Sequence, residues 1–264
     1  MTTFFERLAA RSNAVDSLVC VGLDPDFRRH AVQEVAPFLR DIIAATSEYA
    51  ACYKPNLAFF EQWGIPGLRA LELVLDAIPA GIPVIGDGKR GDIGSTAEAY
   101  ARALFEVWNF DAVTVNPYLG RDATEPYLTY RERGVFVLCR NSNPGAEDFQ
   151  SLTLATGEQV FERVAATAAG WGPNVGLVVG ATAPAELRRV TELVPATPLL
   201  VPGVGTQGGS AADVVAAAGY RPGRVIVNAS RSILYAGEGS GADGAAAEAA
   251  RALRDALRAA RDAG

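Results

Sequence analysis

Histidine is nearly absent from this sequence of 264 residues, and cysteine is scarce. The one histidine, His30, lies in a polar, arginine-rich stretch, which argues against a histidine-based metal centre and against a Ser-His-Asp triad. The three cysteines, Cys20, Cys52 and Cys139, show no CxxC spacing, and each lies beside an apolar run. We therefore expect buried free thiols rather than disulfides or zinc ligands, and no metal site.

Long hydrophobic runs and an excess of positive charge are also missing. The longest apolar stretches have the length of a strand, so no transmembrane segment is predicted. The net charge of −6 argues against a nucleic-acid or anionic-membrane partner, because both favour a basic surface. The first seven residues lack the charged-then-apolar order of a signal peptide, so we expect a cytoplasmic protein.

Lysine is rare in a more informative way. Of the 24 basic residues, only Lys54 and Lys89 are lysines, and every other one is an arginine. A chain that prefers arginine keeps lysine where a compact, titratable ammonium is needed and a guanidinium fails. These two lysines are therefore the first candidates for chemistry.

Apolar runs alternate with helix-length amphipathic segments along the whole chain, which predicts an α/β fold. The predicted strands cover residues 18–23, 51–54, 83–87, 112–116, 135–139, 175–179, 198–202 and 224–228. The predicted helices cover residues 3–11, 37–49, 68–78, 95–107, 158–169, 184–193, 211–218 and 244–260, and Ser95 with Glu98 predicts a capping box. The pattern predicts a single-domain (β/α)8 TIM barrel over residues 1–264, with a short N-terminal helix before strand 1. A doubly wound open sheet is the alternative, because strand number does not prove closure.

Polar residues cluster after the third predicted strand. Asp87 and Lys89 are two residues apart, so their side chains point to the same face of the strand. Asp92 follows in the loop, and Thr96 lies one helical turn further. This cluster beside four glycines indicates a catalytic centre at the carboxyl end of the barrel, where such barrels carry their chemistry. The alternative is a buried ion pair that only joins strand to loop.

The segment from Asp87 to Thr96 resembles the Asp-x-Lys-x-x-Asp-Ile-x-x-Thr signature of orotidine 5′-monophosphate decarboxylases. Motifs similar to those of the family also follow five other strands, in the family's order. Besides the signature they are Gly22-Leu23-Asp24-Pro25, Tyr53-Lys54-Pro55-Asn56, Arg140-Asn141-Ser142-Asn143-Pro144, Pro202-Gly203-Val204-Gly205-Thr206-Gln207-Gly208-Gly209 and Asn228-Ala229-Ser230-Arg231-Ser232-Ile233. Asn141 stands where threonine is common in the family, which leaves every role assigned below untouched.

The resemblance implies decarboxylation of orotidine 5′-monophosphate to uridine 5′-monophosphate and CO2, the last step of de novo UMP biosynthesis. It implies that no metal or organic cofactor takes part. Lys89 would protonate C6 of the pyrimidine, and Asp87 would lie against the departing carboxylate. Asp24 and Lys54 would hold the ribose hydroxyls, and Lys54 would also pair with Asp87.

The resemblance also implies a homodimer and further binding roles. In each subunit, Asp92, Ile93 and Thr96 would reach into the neighbour's site. Ser142 would bind the pyrimidine, and Gln207, Ser230 and Arg231 would bind the phosphate. The residues themselves support a phosphate site, because the glycine-rich segment 203–209 can expose backbone N–H groups and Arg231 can bind phosphate with two hydrogen bonds.

Plainer interpretations of these motifs stay open. The glycines after the seventh strand are also compatible with tight turns, Ser142 with a turn before Pro144, and Asp24 with a salt bridge to Lys54. Two other functions also stay open. One is a Mg²⁺-dependent sugar-phosphate lyase of the same superfamily, and the other is a non-catalytic barrel that binds a phosphate ligand.

Overall fold

A computed structural model describes residues 2–205, 208–237 and 239–263. The strands are β1 (Val19–Leu23), β2 (Cys52–Pro55), β3 (Ile85–Arg90), β4 (Ala112–Val115), β5 (Gly134–Arg140), β6 (Val175–Val179), β7 (Leu199–Pro202) and β8 (Val225–Ala229). They form one parallel sheet in the order β2-β1-β8-β7-β6-β5-β4-β3. Isolated parallel bridges join Tyr53 to Val84 and Asn56 to Asp87, so β2 also meets β3. The predicted barrel is confirmed, and the open-sheet alternative is wrong.

Helices cover the outside of this barrel. They are α1 (Phe4–Val15), α2 (Val32–Thr46), α3 (Ala58–Glu61), α4 (Ile65–Asp76), α5 (Gly94–Arg102), α6 (Arg121–Leu128), α7 (Val160–Ala169), α8 (Pro184–Leu193), α9 (Ala211–Ala218), α10 (Arg231–Leu234) and α11 (Ala242–Asp262). A π-helical turn at Ala103–Val107 extends α5, and 3-10 turns lie at Pro117–Leu119, Pro144–Asp148 and Gly239–Gly241. Within the described part of the chain, no helix is both long and apolar enough to cross a membrane.

Helices α6, α2 and α5 differ from the sequence-based expectation in instructive ways. Helix α6 was not expected, because Pro126 and its polar composition weaken the helical pattern. Helix α2 begins at Val32 and contains Pro37, which was expected to start the helix. Helix α5 begins at Gly94 after Ile93, without a side-chain cap. The predicted capping box is therefore wrong, because Ser95 already lies inside the first turn.

The barrel interior is closed at the amino ends of the strands. Phe4 of α1 is 1% exposed and packs edge-to-face on Phe136 of β5, with their ring centroids 5.9 Å apart. Cys20 and Cys52, on neighbouring strands, are also buried in this inner layer, and both are free thiols, as is the buried Cys139. The predicted buried thiols are therefore confirmed. Because Phe4 closes the amino end, the carboxyl end of the barrel is the end that remains open.

Candidate active site

A cavity of about 560 Å³ opens at the carboxyl ends of the strands. Its wall includes residues from the ends of β1, β2, β3, β5, β7 and β8 and from the loops that follow them. Among the residues that the sequence singles out, the cavity brings together Asp24, Lys54, Asp87, Lys89, Ser142, Ser230 and Arg231. Motifs that are up to two hundred residues apart in the chain therefore meet in one place.

Asp87 is the centre of the charged cluster. Its Oδ2 accepts a hydrogen bond from Lys54 Nζ at 2.7 Å, and its Oδ1 accepts one from Lys89 Nζ, also at 2.7 Å. Lys54 and Asp87 are 4% and 7% exposed, whereas the Lys89 side chain is 43% exposed. Both lysines line the cavity, but Lys54 is buried in its wall and Lys89 is the more exposed of the two.

The charges of the buried pair reinforce each other. Burial raises the pKa of the Asp87 carboxyl, but the ammonium groups of Lys54 and Lys89 outweigh burial and hold that pKa well below its ordinary value. Burial likewise lowers the pKa of Lys54, and the carboxylates of Asp87 and Asp24 more than reverse this, so the net shift is upward. At neutral pH the cluster therefore keeps both charges in the wall of the cavity.

The end of β3 is irregular where these side chains leave it. Gly86 pairs with Val113 and Arg90 with Val115, so a step of four residues along β3 matches a step of two along β4. Lys89 has a φ of 45°, in the left-handed region that residues with a side chain rarely adopt. Such bulges redirect side chains next to active sites, and here the bulge turns Lys89 towards the cavity.

Another part of the cavity wall carries the serine and arginine after β8. Ser230 Oγ is 3.3 Å from Asn228 Nδ2, and the exposed Arg231 is the first residue of α10. Ser230 packs against β1 at Gly22, where a Cβ atom would lie 1.9 Å from Ser230 Oγ, so only glycine fits. On the β1 loop, Asp24 Oδ1 accepts a hydrogen bond from Asn56 N at 3.2 Å. Gln207, the remaining predicted phosphate ligand, lies outside the described residues.

Three predicted residues lie outside the cavity of their own barrel. Asp92 Oδ1 accepts a hydrogen bond from the neighbouring Ile93 N at 2.8 Å, Ile93 is 59% exposed, and Thr96 is exposed in the first turn of α5. They are not among the described residues that line the cavity. Their predicted contribution to a neighbour's site stays a prediction.

Comparison with known proteins identifies the family. The model of the orotidine 5′-phosphate decarboxylase / HUMPS family matches residues 17–247. The chain belongs to this family. The orotidine 5′-phosphate decarboxylase of Halorubrum lacusprofundi is 51% identical over 97% of this chain and 98% of that protein, and that of Herpetosiphon aurantiacus is 46% identical over 96% of both. The solved structure of Leishmania donovani OMP decarboxylase, 40% identical, superposes over the whole of both chains with a TM-score of 0.89.

Two residues at this decarboxylase-family site received no role in the sequence analysis. Thr114 of β4, 1% exposed, donates a hydrogen bond from Oγ1 to Asp87 Oδ1 at 2.8 Å. Arg140, at the end of β5, is 5% exposed and contacts Glu147 and Glu186 at 2.6 and 3.3 Å. Nothing in the sequence marks Thr114, because a β-branched residue is ordinary in a strand. The position of Arg140 at a strand end was a usable signal.

Proposed function

We propose that the chain decarboxylates orotidine 5′-monophosphate to uridine 5′-monophosphate with Lys89 as the proton donor to C6. The reaction is that of the orotidine 5′-phosphate decarboxylases to which the chain is about half identical over nearly its full length. The role of Lys89 rests on one observation: two ammonium groups share Asp87, and Lys89 is the more exposed of the two. Lys54 is held in the wall beside the carboxylate, and the more exposed Lys89 is the ammonium that can meet C6.

The chemistry asks for such an arrangement. When the bond between C6 and the carboxylate breaks, its electron pair stays on C6, and no conjugated carbonyl receives it. The Lys89 ammonium stabilises this developing charge more than it stabilises the substrate, and it then transfers a proton to C6 and becomes a neutral amine. Asp87 lies against the carboxylate that departs as CO2. The barrier reduction required is on the order of 20 kcal/mol or more, at the upper end of what enzymes achieve.

The other side chains of the cavity bind the substrate in this proposal. Asp24 and Lys54 hold the ribose hydroxyls, Ser142 binds the pyrimidine, and Ser230 with Arg231 and Gln207 binds the phosphate. The location of the serine and arginine after β8 supports the last assignment, because the loops after strands 7 and 8 form the usual phosphate site of such barrels. Binding energy gained at the phosphate can position the ring at Lys89.

We also propose that two chains form a homodimer in which Asp92, Ile93 and Thr96 complete the neighbour's site. Their location outside their own cavity supports this, as does the exposed Ile93. A groove of about 940 Å³ runs between α5 and α6 beside them and exposes Arg102, Arg121 and other charged side chains to a partner.

The buried free cysteines fit a reducing compartment, and we place the enzyme in the cytoplasm.

The reaction is proposed to need neither a metal nor an organic cofactor. The three hydrogen-bond donors at Asp87 support this, since they already occupy the oxygens that a cation would bind. The test is to add orotidine 5′-monophosphate to the enzyme in excess EDTA and to follow the loss of its ultraviolet absorbance. Full turnover is expected. Turnover that EDTA removes and Mg²⁺ restores would refute the metal-free reaction, and no turnover of this substrate in either condition would favour a sugar-phosphate lyase or a non-catalytic barrel.

Hybrid dimers test the shared site. Lys89→Ala and Asp92→Asn homodimers are each expected to be nearly inactive, because every site contains one altered residue. When equal amounts are mixed and allowed to exchange, about half of the dimers are hybrids, and each has one intact site, so about a quarter of the wild-type activity per site returns. If mass spectrometry confirms exchange and activity does not return, Asp92 acts within its own chain.

A further inference from the structure

Thr114 is hydrogen-bonded to both Asp87 and Lys89. Its side chain faces the barrel interior, as does that of Ala112 two residues earlier on β4. Thr114 Oγ1 lies 2.8 Å from Asp87 Oδ1 and 2.9 Å from Lys89 N. An ionised carboxylate can only accept and a backbone N–H can only donate, so the hydroxyl donates to Asp87 and accepts from Lys89. One hydroxyl therefore joins the carboxylate to the backbone of the lysine.

The backbone of Lys89 needs such a partner. The bulge in β3 removes Lys89 from the register between Gly86 and Arg90, and its N–H donates to the Thr114 side chain on the neighbouring strand β4. Its φ of 45° is uncommon for a residue with a side chain and persists only where the surroundings hold it. The hydrogen bond from Lys89 N to the threonine is such a restraint, and it acts at the residue whose ammonium reaches the cavity.

We propose that Thr114 is a positioning residue for proton transfer, which holds the Lys89 backbone and the Asp87 carboxylate in fixed relation to each other. This inference rests on the proposed role of Lys89. Thr114 is 1% exposed and is not among the described residues that line the cavity, so it acts through its two neighbours rather than by touching substrate. Its removal should therefore slow the chemical step and leave substrate binding nearly unchanged.

The central variant is Thr114→Val, which keeps the branched shape and removes the hydroxyl. A displacement of a reacting group by about 1 Å can cost about 10²-fold in rate, so we expect kcat to fall by about that factor. KM should stay within about threefold, because a loss confined to the transition state lowers kcat and kcat/KM equally. Thr114→Ser, which retains the hydroxyl, should recover most of the lost kcat.

A matched control exists on the outer side of the barrel. Thr46 of α2 is also fully buried, and its Oγ1 donates to Ile42 O at 2.7 Å and contacts Tyr53 Oη at 2.9 Å. Thr46→Val likewise removes a buried hydroxyl that makes two hydrogen bonds, but at a place away from the cavity. It should lower the unfolding temperature and leave kcat unchanged. A general effect of a lost buried hydroxyl would lower kcat in both variants.

The outcomes separate this inference from the mechanism beneath it. Measured on the dimeric enzyme, kcat above one third of wild type in Thr114→Val overturns the positioning role, as does a Thr114→Ser variant no better than Thr114→Ala. If Thr114→Val fails to fold, the serine and alanine variants decide, because they differ only in the hydroxyl. An active Lys89→Ala enzyme would instead refute the proton-donor role itself. An inactive Lys89→Ala with an unimpaired Thr114→Val refutes the role of Thr114 alone.

Discussion

Asp87 and Asp111 lie at opposite ends of the barrel. Each is contacted by two cationic side chains, which are lysines at Asp87 and arginines at Asp111. Asp87, near the carboxyl end of β3, binds Lys54 and Lys89. Asp111, directly before β4, lies 2.7 Å from Arg7 and 3.8 Å from Arg133, and its Oδ2 accepts a hydrogen bond from Val84 N at 2.9 Å. An aspartate is thus paired with lysines at the open end, and another aspartate is paired with arginines at the closed end.

The difference shows what each cation is used for. At the closed end, Arg7 of α1 ties the helix that plugs the barrel to the start of β4, which is a task for a planar group that is always charged. At the open end, the role proposed for Lys89 requires an ammonium that fits against a reacting atom and releases a proton, which a guanidinium does not do. In this proposal the two lysines at Asp87 serve the reaction, whereas Arg7 and Arg133 at Asp111 serve the structure.

Exchanging the cations is expected to give the largest effect. Lys89→Ala should lower kcat by at least about 10²-fold, because the proton donor and the cation at C6 are lost together, and Lys89→Arg should be nearly as inactive. Arg7→Lys, the reverse exchange beside Asp111, should keep wild-type kcat. Steady-state assays and circular dichroism of the three variants check this. Activity of Lys89→Arg near that of wild type would mean that the ammonium is not specifically required.

The two ends of the barrel were not equally predictable. The eight strands and the site residues at their ends follow from apolar runs that are each followed by a polar motif, and a parallel barrel brings such motifs together. Helix α6 was missed because Pro126 interrupts its pattern, and the hydrogen bonds of Thr114 arise from a bulge that no residue type signals. The pairing of Asp111 with Arg7 and Arg133 joins three distant segments, so only the fold reveals it.

Neutralising each aspartate gives the next largest effect and separates activity from stability. Asp87→Asn should nearly abolish turnover, because it removes the charge that both lysines share. Asp111→Asn should spare kcat and lower the free energy of unfolding by about 1–3 kcal/mol, since it weakens hydrogen bonds to a charged group. For a chain of this size this corresponds to a fall in Tm of very roughly 2–12 °C, which calorimetry can measure. Loss of activity without loss of stability in Asp111→Asn would contradict this division between the two ends.

The smallest expected effect is on the pH dependence of stability, and the pair formed by Asp87 and Lys54 does not cause it. The depressed pKa of Asp87 means that its contribution to stability is present above its unfolded value and is lost only as acid lowers the pH towards its folded value. The contribution of Lys54, whose pKa is raised, is present below its unfolded value and is lost only in strong alkali. Between about pH 5.5 and 7.5 this pair therefore adds no slope to the free energy of unfolding.

His30 is the one histidine of the sequence, and its pKa in the unfolded chain lies in that window. Its ring stacks on Phe38, with the centroids 4.2 Å apart, and lies 5.8 Å from Tyr235. Burial lowers the pKa of His30 below its ordinary 6.5, so the unfolded chain binds the proton first, and stability falls as the pH drops through about 6.5. His30→Phe keeps an aromatic ring in the stack and removes the titration. Urea unfolding at several pH values should give a flatter slope for this variant, and an unchanged slope would show that the dependence arises elsewhere.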